Sequence, residues 1–280
     1  MNRFKYILLL TIALSAAALS QELYIPLEFQ AAYEDGTRSP DGKPGPEYWQ
    51  NSADYKLSVI LDPAAGKITG SGTIIYNNNS PDILDRIVIR LYQNLNKAGT
   101  LKDFPFNDKE FTDGIVIRSL TLNKRSYDVM SDTSLENTGT NIVIKNLNVL
   151  PKKQVTISVS WDFTIPKVNK VRMGQYDSTT FFIAYWYPQI AVYDDIDGWD
   201  MTEYTGNAEF YNDFNNYDIK ITVPNNYCIW ATGELQNPDE LFSPHILARY
   251  KEALGSFKIV NIITAQDYLL KMSLFKNSAE

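Results

Sequence analysis

FFIAYWYPQIAVYDDIDGWDMTEYTGNAEFYNDFNNYDIKITVP, Phe181 to Pro224, is the stretch on which the reading of this 280-residue chain turns. Twelve of the 36 Phe, Trp and Tyr residues fall between Phe181 and Tyr217, in about an eighth of the length. The apolar run Thr179–Tyr187 has the composition of a buried strand. Pro188 ends it, because proline brings no N–H to a sheet ladder. An acidic loop, DDIDGWD from Asp194 to Asp200, comes next, and Tyr217–Val223 reads as a second strand. Tyr and Trp combine a large apolar body with one polar handle. Rings at this density are therefore either the sheet's own core or a surface packed against a partner or around a binding cleft.

Upstream of this stretch, strand patterns dominate. Tyr55–Asp62 and Lys67–Tyr76 are joined by PAAG (Pro63 to Gly66), a short loop ending in glycine, as a hairpin requires. Period-two alternation puts Ile68, Gly70, Gly72 and Ile74 on one face, where the two glycines leave room for a neighbouring element. NNNSPD (Asn77 to Asp82) is a turn cluster. Further strands are expected within Leu84–Gln93 and at Ile115–Leu122, Arg125–Met130, Asn141–Asn146 and Gln154–Phe163. Their short, regular spacing is an all-β pattern. Downstream, Pro238–Leu241 reads as a short turn. Pro244–Leu254 is the one clear helix, with Pro244 at its start and Gly255 just past its end. Phe257–Ile263 is a strand candidate.

Composition limits the function classes. A net charge of −7, or −9 without the two basic residues of the first twenty, disfavours nucleic-acid backbones and anionic membranes as partners. Met1–Ser20 has the form of a cleavable secretory leader: basic Arg3 and Lys5, an apolar run from Ile7 to about Leu14, then small residues, with the cut expected after Ser20. The apolar run falls short of the roughly 20 residues of a spanning helix, so export to the periplasm or medium is expected rather than anchoring. Residues 21–51 read as an N-terminal extension whose GTRSPDGKPGPE segment (Gly36 to Glu47) is an extended linker. Cys228 is the only cysteine, so no internal disulfide can form. In YCIWATG it reads as a small buried hydrophobe.

The aromatic stretch also carries a resemblance. WYPQ, then VYDD, GW, EFY, YDIKITVP and ATGELQNP, in that order, resemble the N-terminal domain of bacterial M1-family zinc metallopeptidases, the aminopeptidase N group. YWQNSADYKLSVILD (Tyr48 to Asp62), GSGTIIYNNNSPD (Gly70 to Asp82) and LYQNLNK (Leu91 to Lys97) resemble that domain's first strands. The likeness continues through SPHILARYKEAL to VNIITAQD (Ser243 to Asp267). It implies an all-β fold over residues 52–267: a large, twisted, mostly antiparallel saddle-like sheet with a smaller sheet packed on it and one short helix near the C-terminus. Residues 268–280 read as a frayed or truncated tail.

The resemblance implies a partner, because the family's chemistry resides elsewhere. M1 enzymes hold zinc with the two His of a helical HExxH and a later Glu, and the motif's own Glu is the general base. The single histidine here, His245, is followed by Ile246 and lacks a spaced Glu, so it reads as a surface or capping residue. The GAMEN-like substrate segment is missing too. In the family, a Gln or Glu about nine residues before the Pro matched by Pro188 anchors the substrate's amine; here Ser178, Thr179 and Thr180 occupy that region. No zinc or other cofactor is therefore expected in this chain. The implied partner is an M1 catalytic domain, missing or on a separate chain, with peptide as substrate only of the complete enzyme. Substrate-cleft candidates are Gln189, Tyr185 and Tyr187, with Gln189 equally readable as a strand-end residue bonding backbone. Domain-interface candidates are Trp186, Tyr193, Trp199, Tyr204, Phe210 and Tyr211. A different class stays open: a free-standing exported module whose rings grip sugar or peptide. Carboxylate catalysis is a third reading, which composition alone supports. Asp195, Asp197 and Gly198 match part of a calcium loop. With its Gly at Gly198, however, a loop of about twelve residues would begin at Tyr193 and end at Tyr204, where carboxylates are needed. A solvated acidic turn remains.

Overall fold

The computed structural model describes residues 24–270 together with 275 and 276, so the expected leader, Met1–Ser20, lies outside the described residues. The described chain separates into two units, the first ending at Thr222 and the second starting at Val223. The domain expected over residues 52–267 therefore spans this division.

The first unit is built of antiparallel sheet. Helix α1 (Leu27–Glu34) precedes strands β1 (Ser52–Asp62), β2 (Lys67–Asn78), β3 (Ile87–Arg90), β4 (Ile115–Leu122), β5 (Arg125–Tyr127), β6 (Leu135–Asn137), β7 (Asn141–Ile144) and β8 (Lys153–Thr164). Six short or edge strands follow: β9 (Met173–Gln175), β10 (Phe181–Ile183), β11 (Gln189–Ile190), β12 (Tyr193–Asp194), β13 (Gly198–Trp199) and β14 (Asn216–Thr222). A six-stranded sheet has the order β14-β1-β2-β8-β4-β5, and a four-stranded sheet has the order β11-β3-β7-β6. Every pairing is antiparallel except that of β14 with β1. The all-β class and its mostly antiparallel sheets are as the alternation foretold.

The strands of the large sheet alternate cleanly. Ala53, Tyr55, Leu57, Val59 and Leu61 are buried on β1, and Val155, Ile157, Val159, Trp161 and Phe163 on β8. Polar residues occupy most of the other face, which is how a sheet with one covered side is encoded. β3 and β7 are buried at every position, as strands covered on both faces must be. Val88, Val143 and Ala191 form one packed cluster there, with Trp199 against it. The room at the β2 glycines is taken by neighbouring strands: a Cβ on Gly70 would lie 2.3 Å from Cζ2 of Trp161, and one on Gly72 2.4 Å from Cδ2 of Leu57.

Several expectations change. The run Thr179–Tyr187 forms only the three-residue β10, half-buried in a hairpin with β9. Asp177 holds Thr179 and Thr180 in a turn before it, and the chain leaves the ladder so that Tyr185 can be buried. The segment read as an extended linker is folded back on itself and on the acidic loop: Gly45 N donates to the Thr37 carbonyl at 2.9 Å, and Arg38 pairs with Asp195. Only Ile87–Arg90 of Leu84–Gln93 is strand, and a 3-10 turn at Tyr92–Asn96 follows.

The second unit carries α2 (Pro238–Leu241), α3 (Pro244–Leu254) and α4 (Ala265–Leu269). Phe242, Ile246 and Tyr250 form its core, with Leu235, Leu247, Ile262 and Phe275 packed around them. Arg249 on α3 makes two bonds to Asp267 on α4 (2.6 and 2.8 Å), and Thr264 caps α4 in a reciprocal box with the same carboxylate. Bonds from Arg249 and then Thr264 hold the Asp267 carboxyl well below the ordinary range. Phe257–Ile263 forms no strand: Phe257 and Ile259 are fully exposed and no ladder partner is present among the described residues. Cys228 is exposed and outside any strand, contrary to the buried position read from YCIWATG, because the apolar residues around it do not enter a sheet.

Candidate functional site

Eight of the twelve rings of Phe181–Tyr217 fall into three groups, each organised by a residue from far upstream. The first centres on Tyr92, in the turn after β3. Its ring stacks on Phe210 at 4.0 Å between centroids, and Tyr185 and Tyr204 close the group at 5.4 and 5.3 Å. Tyr92, Tyr185 and Tyr204 are buried. Burial drives the Tyr92 and Tyr204 hydroxyls well above the ordinary phenol range, so both stay protonated. The second group belongs to β1. Tyr217 stacks on Tyr55 at 4.9 Å, Tyr187 meets Tyr55 edge-on at 5.6 Å, and the Tyr187 hydroxyl donates to that of Tyr217 at 3.2 Å. Trp186 adjoins this group, its carbonyl accepting from Nε1 of the wholly buried Trp161 at 2.8 Å. The third joins Trp49, Tyr193, Trp199 and Tyr76.

The candidate residues accordingly differ in accessibility. Tyr185, a cleft candidate, and Tyr204, an interface candidate, are buried within the first unit. Trp186, Tyr187, Tyr193, Trp199 and Phe210 are half-buried. Tyr211 is 46% exposed, its hydroxyl donating to Asp194 at 2.9 Å. Gln189 is half-buried in β11, opposite Arg90 of β3. The rings left outward on the stretch are Phe182, Tyr211, Phe214 and Tyr217, with Phe214 88% exposed.

Between the first and third groups lies a cavity of about 480 Å³, lined among others by Arg90, Tyr92, Trp199, Tyr204, Phe210 and Tyr211. Arg90 is buried, which is rare for an arginine and needs full pairing. It forms an ion pair with Asp200 and donates to Asn141 Oδ1 at 2.8 Å and to the Thr202 carbonyl. Glu203 beside it accepts from Thr138 and, at 2.6 Å, from both N and Oγ1 of Thr140. The cavity thus has aromatic walls and a predominantly acidic polar lining, with Asp197, Asp200, Glu203 and Glu209 beside the single Arg90. Sequence reading passed over both Arg90 and Tyr92. The available signal was an arginine inside the otherwise apolar run IVIRLY, Ile87 to Tyr92.

The acidic loop is not the solvated turn expected. Asp195 Oδ2 accepts from Arg38 Nε at 2.8 Å and from Thr37 Oγ1 at 2.6 Å. Burial alone would raise the Asp195 carboxyl, but these two donors keep it below the ordinary range. Asp194 accepts from the backbone of Ile196 and Asp197. Among the described residues no three or more His, Cys, Asp or Glu side chains converge as a metal-ion ligand set. His245 sits in the first turn of α3, Nδ1 3.2 Å from Ser243 Oγ and Nε2 3.8 Å from Asp267. Among the described residues no helix is long and apolar enough to cross a membrane.

No family model and no curated protein matches this sequence. Among solved structures, the chain is similar to a mutant M1 zinc metallopeptidase of Deinococcus radiodurans bound to a Tyr-Ser-Ala substrate, at 12% identity over 70% of this chain and 39% of that one, with a TM-score of 0.33. The M1 zinc metallopeptidase of the same organism matches at 11% identity over 67% and 37%, with a TM-score of 0.34. Aminopeptidase A of Legionella pneumophila, in complex with aspartic acid, matches at 15% identity over 39% and 10%, with a TM-score of 0.24. The chain spans well under half the length of each of these proteins, and at such scores the likeness identifies no function.

Proposed function

We propose that this chain is the non-catalytic β domain of an exported M1-type zinc aminopeptidase, forming one wall of the substrate cleft and docking on a catalytic domain carried elsewhere. The ordered run of family-like motifs from Tyr48 to Asp267 carries this reading. The single histidine supports it: an HExxH site needs two imidazoles, and this sequence has one. Most rings of the aromatic stretch pack internally, and the exposure of Tyr211, with that of Phe182 and Phe214, is what supports a docking role for this stretch. Exposed rings of this kind, apolar in body with a polar tip at Tyr211, suit a covered surface.

Two measurements test this. The purified chain should not hydrolyse amino-acid anilides, and turnover abolished by a chelator would overturn the non-catalytic assignment. It should also co-elute with an HExxH-bearing polypeptide encoded beside it, and Phe214→Ala with Tyr211→Ala should weaken that association. If no such polypeptide is encoded or none associates, the docking role is wrong.

A second reading rests on the cavity of about 480 Å³, whose size and aromatic walls suit a free-standing module binding a sugar or a short peptide. Saturable quenching of Trp199 fluorescence by an oligosaccharide or peptide, lost in Phe210→Ala, would favour it over the docking role.

A further inference from the structure

We infer that β14 is a self-complementary sheet edge that pairs, antiparallel, with β14 of a second copy of this chain about a two-fold axis at Ile219. β14 closes one side of the six-stranded sheet and pairs only with β1 among the described strands. Its outer edge therefore presents a row of N–H and C=O groups open to another strand.

The two faces of β14 differ. Tyr217, Ile219 and Ile221 stand in register with Tyr55, Leu57 and Val59, all buried, so the apolar face of the sheet runs on to its edge. There it stops half-covered, with Tyr217 49% exposed although it stacks on Tyr55. On the opposite face Asp218 pairs with Lys56 at 3.1 Å, and Lys220 has no ionic partner among the described residues. A lone edge lysine ordinarily keeps such strands apart. Asp218, two residues earlier, changes that.

Antiparallel pairing about Ile219 sets Asp218 of each copy opposite Lys220 of the other, Tyr217 opposite Ile221, and Ile219 opposite itself. Opposite charges and aromatic–β-branched pairs are the cross-strand combinations that stabilise a sheet. Other registers fail. A one-residue slip sets the apolar face of one copy against the polar face of the other. A slip to a centre at Asp218 or Lys220 sets like charge on like charge. The contact is isologous, so it closes at two copies rather than growing into a filament. A chain that covers an M1 cleft has no need of this pairing, and the edge strand would pair in the same way whether or not the chain docks on a catalytic domain.

Sedimentation velocity of the full chain across a concentration series tests it, with Asp218→Lys and Lys220→Asp made separately. Both positions are exposed at the sheet edge, and each variant should keep the wild-type thermal transition. The wild type should dimerise with concentration. Each reversal turns two attractive opposed pairs into two repulsive ones and should weaken association about 30-fold. Mixing the two variants should restore the dimer, because the paired lysines of one would then face the paired aspartates of the other. A wild type monomeric throughout, a dimer indifferent to both reversals, or a mixture that fails to associate would each overturn the inference.

Discussion

Gly70→Ala gives the sharpest test of how the large sheet is held together, because two physical effects predict opposite signs. In an ordinary strand the change should help slightly, since glycine in an element interior costs about 0.5–1 kcal/mol relative to alanine. Here the new Cβ would meet Cζ2 and Cε2 of Trp161 at 2.3 and 2.5 Å. Carbon atoms pack at about 3.5–4.0 Å, so the ring must yield by about 1 Å or more. Trp161 is wholly buried, lies directly across from Gly70 in the β2–β8 ladder, and is tied to the Trp186 carbonyl. Overpacking of this kind costs about 1–3 kcal/mol, and loss of a buried indole hydrogen bond about 1–3 more. The net expectation is destabilisation by about 2–4 kcal/mol, roughly 4–16 °C in Tm at 2–4 °C per kcal/mol for a unit of this size. Thermal unfolding followed by tryptophan fluorescence reads it directly. In a double-mutant cycle, Gly70→Ala with Trp161→Leu should be less destabilised than the sum of the single changes by about 1 kcal/mol or more. A Tm unchanged or raised in Gly70→Ala would show instead that propensity outweighs packing at this site.

Three charged groups held by the fold give further outcomes. Arg90→Met strands the Asp200 carboxylate and should cost about 3–5 kcal/mol in urea unfolding, and a loss under about 1 kcal/mol would mean water already serves that ion pair. Asp213 is pushed up to about 6, mainly by burial, against the pull of a bond from Gln50. Its folded value exceeds its unfolded one, so the stability it contributes is complete below the unfolded value near 3.8 and is lost as pH rises through about 6. Asp213→Asn should therefore remove a decline on the order of 2–3 kcal/mol across that window, and an unaltered pH profile would contradict it. The Asp267 carboxyl is shifted the other way, so the stability it gives the second unit is present above the unfolded carboxylate value and fades as pH falls below it. Arg249→Met removes the largest cause of that shift and should reduce the acid sensitivity in a far-UV circular dichroism titration, with the Thr264 bonds retaining the remainder.

What the sequence determined by itself is local. Alternation along β1, β2, β4 and β8 marked those strands to within a few residues, since one covered face writes its period into consecutive side chains. Pro244 and Gly255 likewise bracketed α3, because caps are set by neighbouring backbone groups. The aromatic stretch could not be assigned in the same way. Whether Tyr185 or Tyr204 is core or surface depends on Tyr92, and the fate of Tyr187 and Tyr217 depends on Tyr55, each contributed from far along the chain. Asp195 read as solvated until Arg38 closed on it, and Phe257–Ile263 read as strand although no ladder partner stands beside it among the described residues. Periodicity records that a face is covered and is silent about what covers it. Only the tertiary structure supplies the second party to each contact, because the free energy of a buried ring or ion pair belongs to the pair.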